Sequence, residues 1–97
     1  MKIEYHKNFT KQFEKLQRKE QERVLNSLKL FEKEPFAEQL RNHQLKGVLS
    51  GFRSISSGGD LRLHYYEKEP NHTCTLYEVH SIVVVFTAIG SHSQLYG

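Results

Sequence analysis

Two segments with helical apolar spacing, followed by segments with strand spacing, predict an α+β chain: an N-terminal helical hairpin laid on an antiparallel sheet. The helical stripes are Phe9, Phe13 and Leu16, at i, i+4 and i+7, and then Val24, Leu25, Leu28 and Phe31. The strand signal is clearest where Leu61, Leu63 and Tyr65 alternate with Asp60, Arg62, His64 and Tyr66, and in the apolar run from Ile82 to Phe86. At 97 residues the chain has room for one core, so residues 1–97 are expected to form a single domain.

Taken in order, Lys2 to His6 alternates apolar and polar residues and reads as a short strand with Ile3 and Tyr5 on one face. Asn8 is the expected cap of the first helix, which runs to about Lys19. The second helix runs from about Glu20 to Glu34. It stops at Pro35, because proline lacks an amide hydrogen and its ring clashes with the preceding turn. Phe36 and Leu40 anchor a short helical turn. Residues Arg41 to Gly47 have no amphipathic period and end in glycine, which predicts an exposed loop carrying His43 between Arg41 and Lys46. Strands are expected around Gly51 to Ser56, from Asp60 to Glu67, and up to Ile89. Ser57, Gly58 and Gly59 form a turn, since glycine tolerates positive φ, and Glu69 to His72 forms another.

Composition narrows the function classes. The formal charge is +3, and residues 1–50 hold eleven Lys and Arg against seven acids, whereas residues 51–97 hold three against four. A positive N-terminal half favours acidic partners, nucleic acid foremost. The one cysteine, Cys74, cannot form an intramolecular disulfide, and no N-terminal apolar run suggests secretion, so the cytoplasm is the expected compartment. No apolar stretch approaches the roughly 20 residues that span a bilayer, and no membrane partner is expected. His6, His64, His72 and His80 lack the close spacing of zinc ligands, so no metal is expected.

Chemistry concentrates in the tail, Gly90 to Gly97, where an apolar strand hands over to a polar segment bearing His92 and Tyr96. If the last strand lies antiparallel beside the Asp60 strand, its end meets that strand's beginning. His92 then stands near Asp60 and Arg62, bringing an imidazole, an acid and a cation together.

The loop His43-Gln44-Leu45-Lys46-Gly47, then Gly51-Phe52-Arg53, Asp60-Leu61-Arg62-Leu63-His64-Tyr65 and the tail Gly90-Ser91-His92-Ser93-Gln94-Leu95-Tyr96 together resemble the toxins of bacterial type II toxin–antitoxin modules, in the YafQ-like branch of the RelE superfamily. The resemblance spans the whole chain, and its most specific parts are the loop and the tail at their mutual distance. It implies an α+β fold with two N-terminal helices on a twisted antiparallel sheet. It also implies an endoribonuclease (mRNA interferase) that cuts messenger RNA in the ribosomal 30S A site and is silenced by a cognate antitoxin. The implied chemistry uses neither metal nor cofactor: a base deprotonates the ribose 2′-hydroxyl, which attacks the adjacent phosphate, and an acid protonates the leaving 5′-oxygen.

Carried over position by position, the resemblance makes His43, Asp60, His92 and Tyr96 catalytic. Histidine suits both proton transfers, because its pKa near 6.5 leaves both forms accessible. Two positions depart from the family. Its arginine before the tail is Ala88 here, and a histidine expected after Arg53 is Ser56. Arg62 or Arg53, with Lys46 of the loop, is expected to contact the RNA phosphate in its place, since a guanidinium binds phosphate two-pronged. A third departure is the stretch from Glu67 to Ser81, read as a longer hairpin arm with Thr73 to Val79 extended. The alternative to the ribonuclease is a catalytically weakened relative that acts as an antitoxin-binding or ribosome-binding module. Loss of the pre-tail arginine favours that alternative; retention of both histidines, Asp60 and Tyr96 favours the enzyme.

Overall fold

The computed structural model describes residues 1–68 and 82–96, with the side chains of His92 and Tyr96 outside the description. The expected turn at Glu69–His72 and the arm at Thr73–Val79 lie outside the described residues.

Strand β1, Lys2–Tyr5, leads into helix α1, Lys7–Glu14. The cap of α1 is His6 rather than Asn8: the His6 Nδ1 lone pair accepts the Asn8 backbone N–H at 3.0 Å. Instead of reaching Lys19, α1 ends at Glu14, because Gln17 is extended and opens α2, Arg18–Lys33. The Gln17 N–H donates to the Glu20 carboxylate at 3.2 Å, and Gln21 Nε2 donates back to the Phe13 carbonyl at 3.0 Å. Those bonds satisfy groups that one continuous helix would have paired internally, so the chain turns there. Helix α2 buries Val24, Leu28 and Phe31, leaves Leu25 49% exposed, and stops before Pro35 as expected.

A 3₁₀ turn at Glu38–Leu40 buries Leu40 and ends at Arg41, whose φ of 49° is left-handed. The segment expected as a loop then makes a two-residue strand, β2 (His43–Gln44), followed by a second 3₁₀ turn at Gly47–Leu49. Strands β3 (Arg53–Ser56), β4 (Leu61–Lys68) and β5 (Val83–Ser91) follow, and a short helix, α3 (His92–Tyr96), forms the tail. Asp60 lies in the turn before β4 and not in the strand.

Among the described residues the sheet has five strands in the order β1-β5-β4-β3-β2. It is antiparallel from β2 to β5, as expected, but mixed overall, because β1 joins the far edge parallel to β5. The register of β4 against β5 shifts between His64 and Tyr65, so Thr87 is an extra residue. One face of the sheet carries the core: Ile55, Leu61, Leu63, Tyr65, Val84, Phe86 and Ile89 pack against Phe9, Val24, Leu28, Phe31 and Leu40. Phe86 lies at its centre, with ring centroids 5.2 Å from both Phe31 and Tyr65 and 5.7 Å from Phe9. Truncating such a ring typically costs about 3–5 kcal/mol. No helix among the described residues is long and apolar enough to cross a membrane.

Candidate active site

With Ile55, Leu63 and Ile89 turned to the helices, strand alternation puts their neighbours on the opposite face. The ladder aligns these neighbours in two rows. One runs His43, Ser54, His64, Ala88; the next runs Ser56, Arg62, Gly90. His43 reached this face only because β2 pairs with β3.

His43 is exposed, and its Nδ1 lies 2.8 Å from the Arg41 carbonyl oxygen. A carbonyl can only accept, so Nδ1 carries the hydrogen and, in the neutral ring, Nε2 carries a bare lone pair. Ser54 and His64, the next two in the row, are 0% and 3% exposed. Burial pushes the His64 imidazole below its usual range, and positive charge on His43 pushes it the same way. Among the described residues the Ser54 hydroxyl has no hydrogen-bond partner. The sequence assigned neither residue to a site, and the structure buries both.

The two candidate arginines part company. Arg53 is committed to structure: its Nε donates to Asn42 Oδ1 at 2.8 Å, and its guanidinium sits 5.3 Å from the Phe36 ring centroid. Arg62 lies in the second row, where Nη1 donates to the Gly59 and Leu61 carbonyls at 3.2 and 3.1 Å and to Ser56 Oγ at 3.4 Å. Among the described residues only Nη1 is engaged, so the rest of the fork is left for an anion. Lys46 is exposed, two residues beyond the end of β2, at the start of the second 3₁₀ turn.

The remaining candidates gather where β4 begins and β5 ends. Ser91 pairs with Leu61, which puts the His92 backbone beside Asp60, as the antiparallel argument required. Asp60 is exposed and lines a cleft of about 590 Å³ with Arg23, Ser91 and Gln94. Arg62 and His43 do not line that cleft; they lie on the sheet face opposite the core. The side chains of His92 and Tyr96 lie outside the description.

The tail motif itself is largely explained by its own folding. Ser91 Oγ accepts the Gln94 N–H at 3.1 Å, and Gln94 Oε1 accepts the Ser91 N–H at 2.8 Å, a reciprocal capping box of the S-x-x-Q type. A Cβ at Gly90 would lie 3.1 Å from Gln94 Oε1 and 3.2 Å from Leu95 Cγ, so glycine lets the tail fold back. That spacing was readable in the sequence; Gly90, Ser91 and Gln94 shape the tail and leave His92 and Tyr96 as its candidates for chemistry. Among the described residues no three His, Cys, Asp or Glu side chains stand together as a metal site.

Comparison with known proteins bears on this arrangement. Curated protein sequences give no match. Among solved structures, YafQ from E. coli superposes with a TM-score of 0.73 at 19% identity, covering 98% of this chain and 97% of that one. A YoeB/ParE toxin from Agrobacterium tumefaciens superposes at 0.70 with 16% identity, covering 95% and 99%. The E. coli DinJ–YafQ complex matches at 0.59 with 22% identity, covering 98% and 97%. These likenesses establish the fold. A family model described as "Bacterial toxin of type II toxin-antitoxin system, YafQ" matches residues 1–97, and the chain therefore belongs to the YafQ family of toxins.

Proposed function

We propose that the chain is a single-domain endoribonuclease that cleaves messenger RNA in the ribosomal A site and is held inactive by a cognate antitoxin. The family supplies the class of activity and the existence of an antitoxin; the assignment of roles is ours. The observation that carries it is His43, an exposed imidazole with Nδ1–H donated to the Arg41 carbonyl and Nε2 free to take a proton. In this reading His43 Nε2 accepts the proton of the ribose 2′-hydroxyl, and the 2′-oxygen attacks the adjacent phosphorus. Arg62 binds the phosphate from the neighbouring row, where the charge of the transition state develops. His92 gives a proton to the leaving 5′-oxygen, with Asp60 beside its backbone to orient it, and the product is a 2′,3′-cyclic phosphate. Tyr96 lies against the substrate, and Lys46 adds charge along its path.

Induced expression with and without the antitoxin, followed by mapping of message ends on ribosomes, tests this proposal. Growth arrest with cleaved messages bearing cyclic phosphate ends is the expected result. Arrest without cleavage, or cleavage on naked RNA equal to that on ribosomes, would overturn it.

A further inference from the structure

The residue before His43 is the most fully bonded side-chain amide in the described protein. Asn42 Nδ2 donates to the Pro35 carbonyl at 2.9 Å and to the Tyr65 hydroxyl at 2.7 Å, and its Oδ1 accepts from Arg53 Nε at 2.8 Å. Both amide hydrogens and the carbonyl oxygen are therefore in use, by partners from the segment just after α2, from β4 and from β3. Two of these partners are themselves fixed. Tyr65 is buried in the aromatic core, and the Arg53 guanidinium rests over Phe36.

Strand β2, by contrast, is two residues long, lies at the sheet edge, and carries an exposed His43. Its own ladder is too short to hold an imbedded geometry. The turn ahead of it is also unusual: Arg41 is the only described non-glycine residue with positive φ, a conformation that local bonding must hold in place. The carbonyl of that strained residue is the one that receives His43 Nδ1–H.

We infer that Asn42 is a positioning residue: by tying Pro35, β3 and β4 to the Arg41 turn, it holds the Arg41 carbonyl against His43 Nδ1 and so keeps the imidazole's lone pair on Nε2. Asparagine suits this position chemically. Aspartate would present acceptors only, against the Pro35 carbonyl, and leucine would leave Arg53 Nε and the Tyr65 hydroxyl without their partner. Partners that fix the tautomer and ring plane of a metal-bound histidine change activity by about 10- to 100-fold when removed, and the same scale is expected for His43.

The test has a spectroscopic arm independent of catalysis and a kinetic arm that rests on the ribonuclease reading. Long-range proton–nitrogen correlation spectra of the full chain, taken well above the usual imidazole range, report the tautomer of His43. The unmodified chain is expected to show Nδ1–H alone. Asn42→Ala is expected to show averaged nitrogen shifts from exchanging tautomers, and a fall of about 10- to 100-fold in kcat for message cleavage with KM unchanged. Tyr65→Phe, which removes one of the three partners, is expected to move both readouts the same way by less, and it decides the matter should Asn42→Ala fail to fold. An unmodified chain with His43 as Nε2–H, or an Asn42→Ala spectrum unchanged at His43, overturns the inference. A tautomer change in a chain that cleaves no message upholds the positioning role and removes the ribonuclease reading.

Discussion

Gln12 gives Ile89 the hydrogen bond that a neighbouring strand would otherwise supply: its Oε1 accepts the Ile89 backbone N–H at 2.7 Å. Strand β1 pairs with β5 only from Val83 to Phe86, so beyond that point the edge of β5 has no strand beside it among the described residues. Helix α1 covers it, with Asn8 Nδ2 reaching the Thr87 carbonyl at 3.4 Å and Gln12 reaching Ile89. Gln12→Ala orphans a buried donor and is expected to lower unfolding stability by about 1–3 kcal/mol in urea titration. Gln12→Glu keeps an acceptor there and is expected to retain most of it. Equal losses in the two variants would show that the bond is not the cause.

Removing each histidine in turn tests the proposed base and the proposed acid. His43→Gln leaves the core untouched, since His43 is exposed, and is expected to lower message cleavage by about 10²- to 10⁴-fold with unfolding midpoint and antitoxin binding unchanged. His92→Gln is expected to lower it by a similar factor. Cells arrested by His92→Gln as strongly as by the unmodified protein would remove the tail histidine from the mechanism and leave His43.

Arg62 and Arg53 are expected to fail in different ways. Arg62→Ala is expected to lower cleavage by about 10²- to 10³-fold with little change in stability, because in the proposed mechanism its guanidinium stabilises the charged transition state. Arg62→Lys recovers little, since an ammonium cannot make the two-pronged contact. Ala88→Arg, placed opposite His64 in the adjacent row, is expected to restore part of the loss. Arg53→Ala instead lowers stability by about 1–3 kcal/mol, through the bond to Asn42 and the contact with Phe36. Paired measurement of cleavage rate and denaturation midpoint distinguishes the two.

His64 sets a pH dependence of folding. Its folded pKa lies below the usual imidazole value, first through burial and then through His43, so the unfolded chain binds the proton more readily. Its contribution is therefore fully present above about pH 6.5 and is lost as pH falls from there through the folded pKa. Urea midpoints are expected to drop between about pH 7.5 and about pH 5.5, and His64→Leu is expected to flatten that slope. An equal slope in His64→Leu would assign the effect elsewhere.

Gly90→Ala tests the folded tail. The added methyl meets Gln94 and Leu95, which are side-chain atoms of α3, so the tail must shift by tenths of an ångström while the sheet stays as it is. Cleavage is expected to fall with an unchanged unfolding midpoint. Retention of full activity would mean that the position of His92 does not depend on this contact.

Periodicity alone located α2, β4 and β5 and the buried residues Leu61, Leu63, Tyr65 and Phe86, because apolar spacing is a local property that each segment carries wherever it packs. The S-x-x-Q box is local in the same sense, whereas the adjacency of Asp60 and the His92 backbone, argued from the strand order, exists only through the pairing of β4 with β5. The sequence did not contain, in any local pattern, which arginine faces the open side, that a two-residue strand carries His43, or that His64 is buried. Those outcomes depend on β2 finding β3, on the register shift at Tyr65 and on Asn42 collecting partners 7, 11 and 23 residues away. Contacts at such separations come into being only when the chain closes, so tertiary structure alone decided which side chains share the open face of the sheet and which carbonyl meets His43 Nδ1.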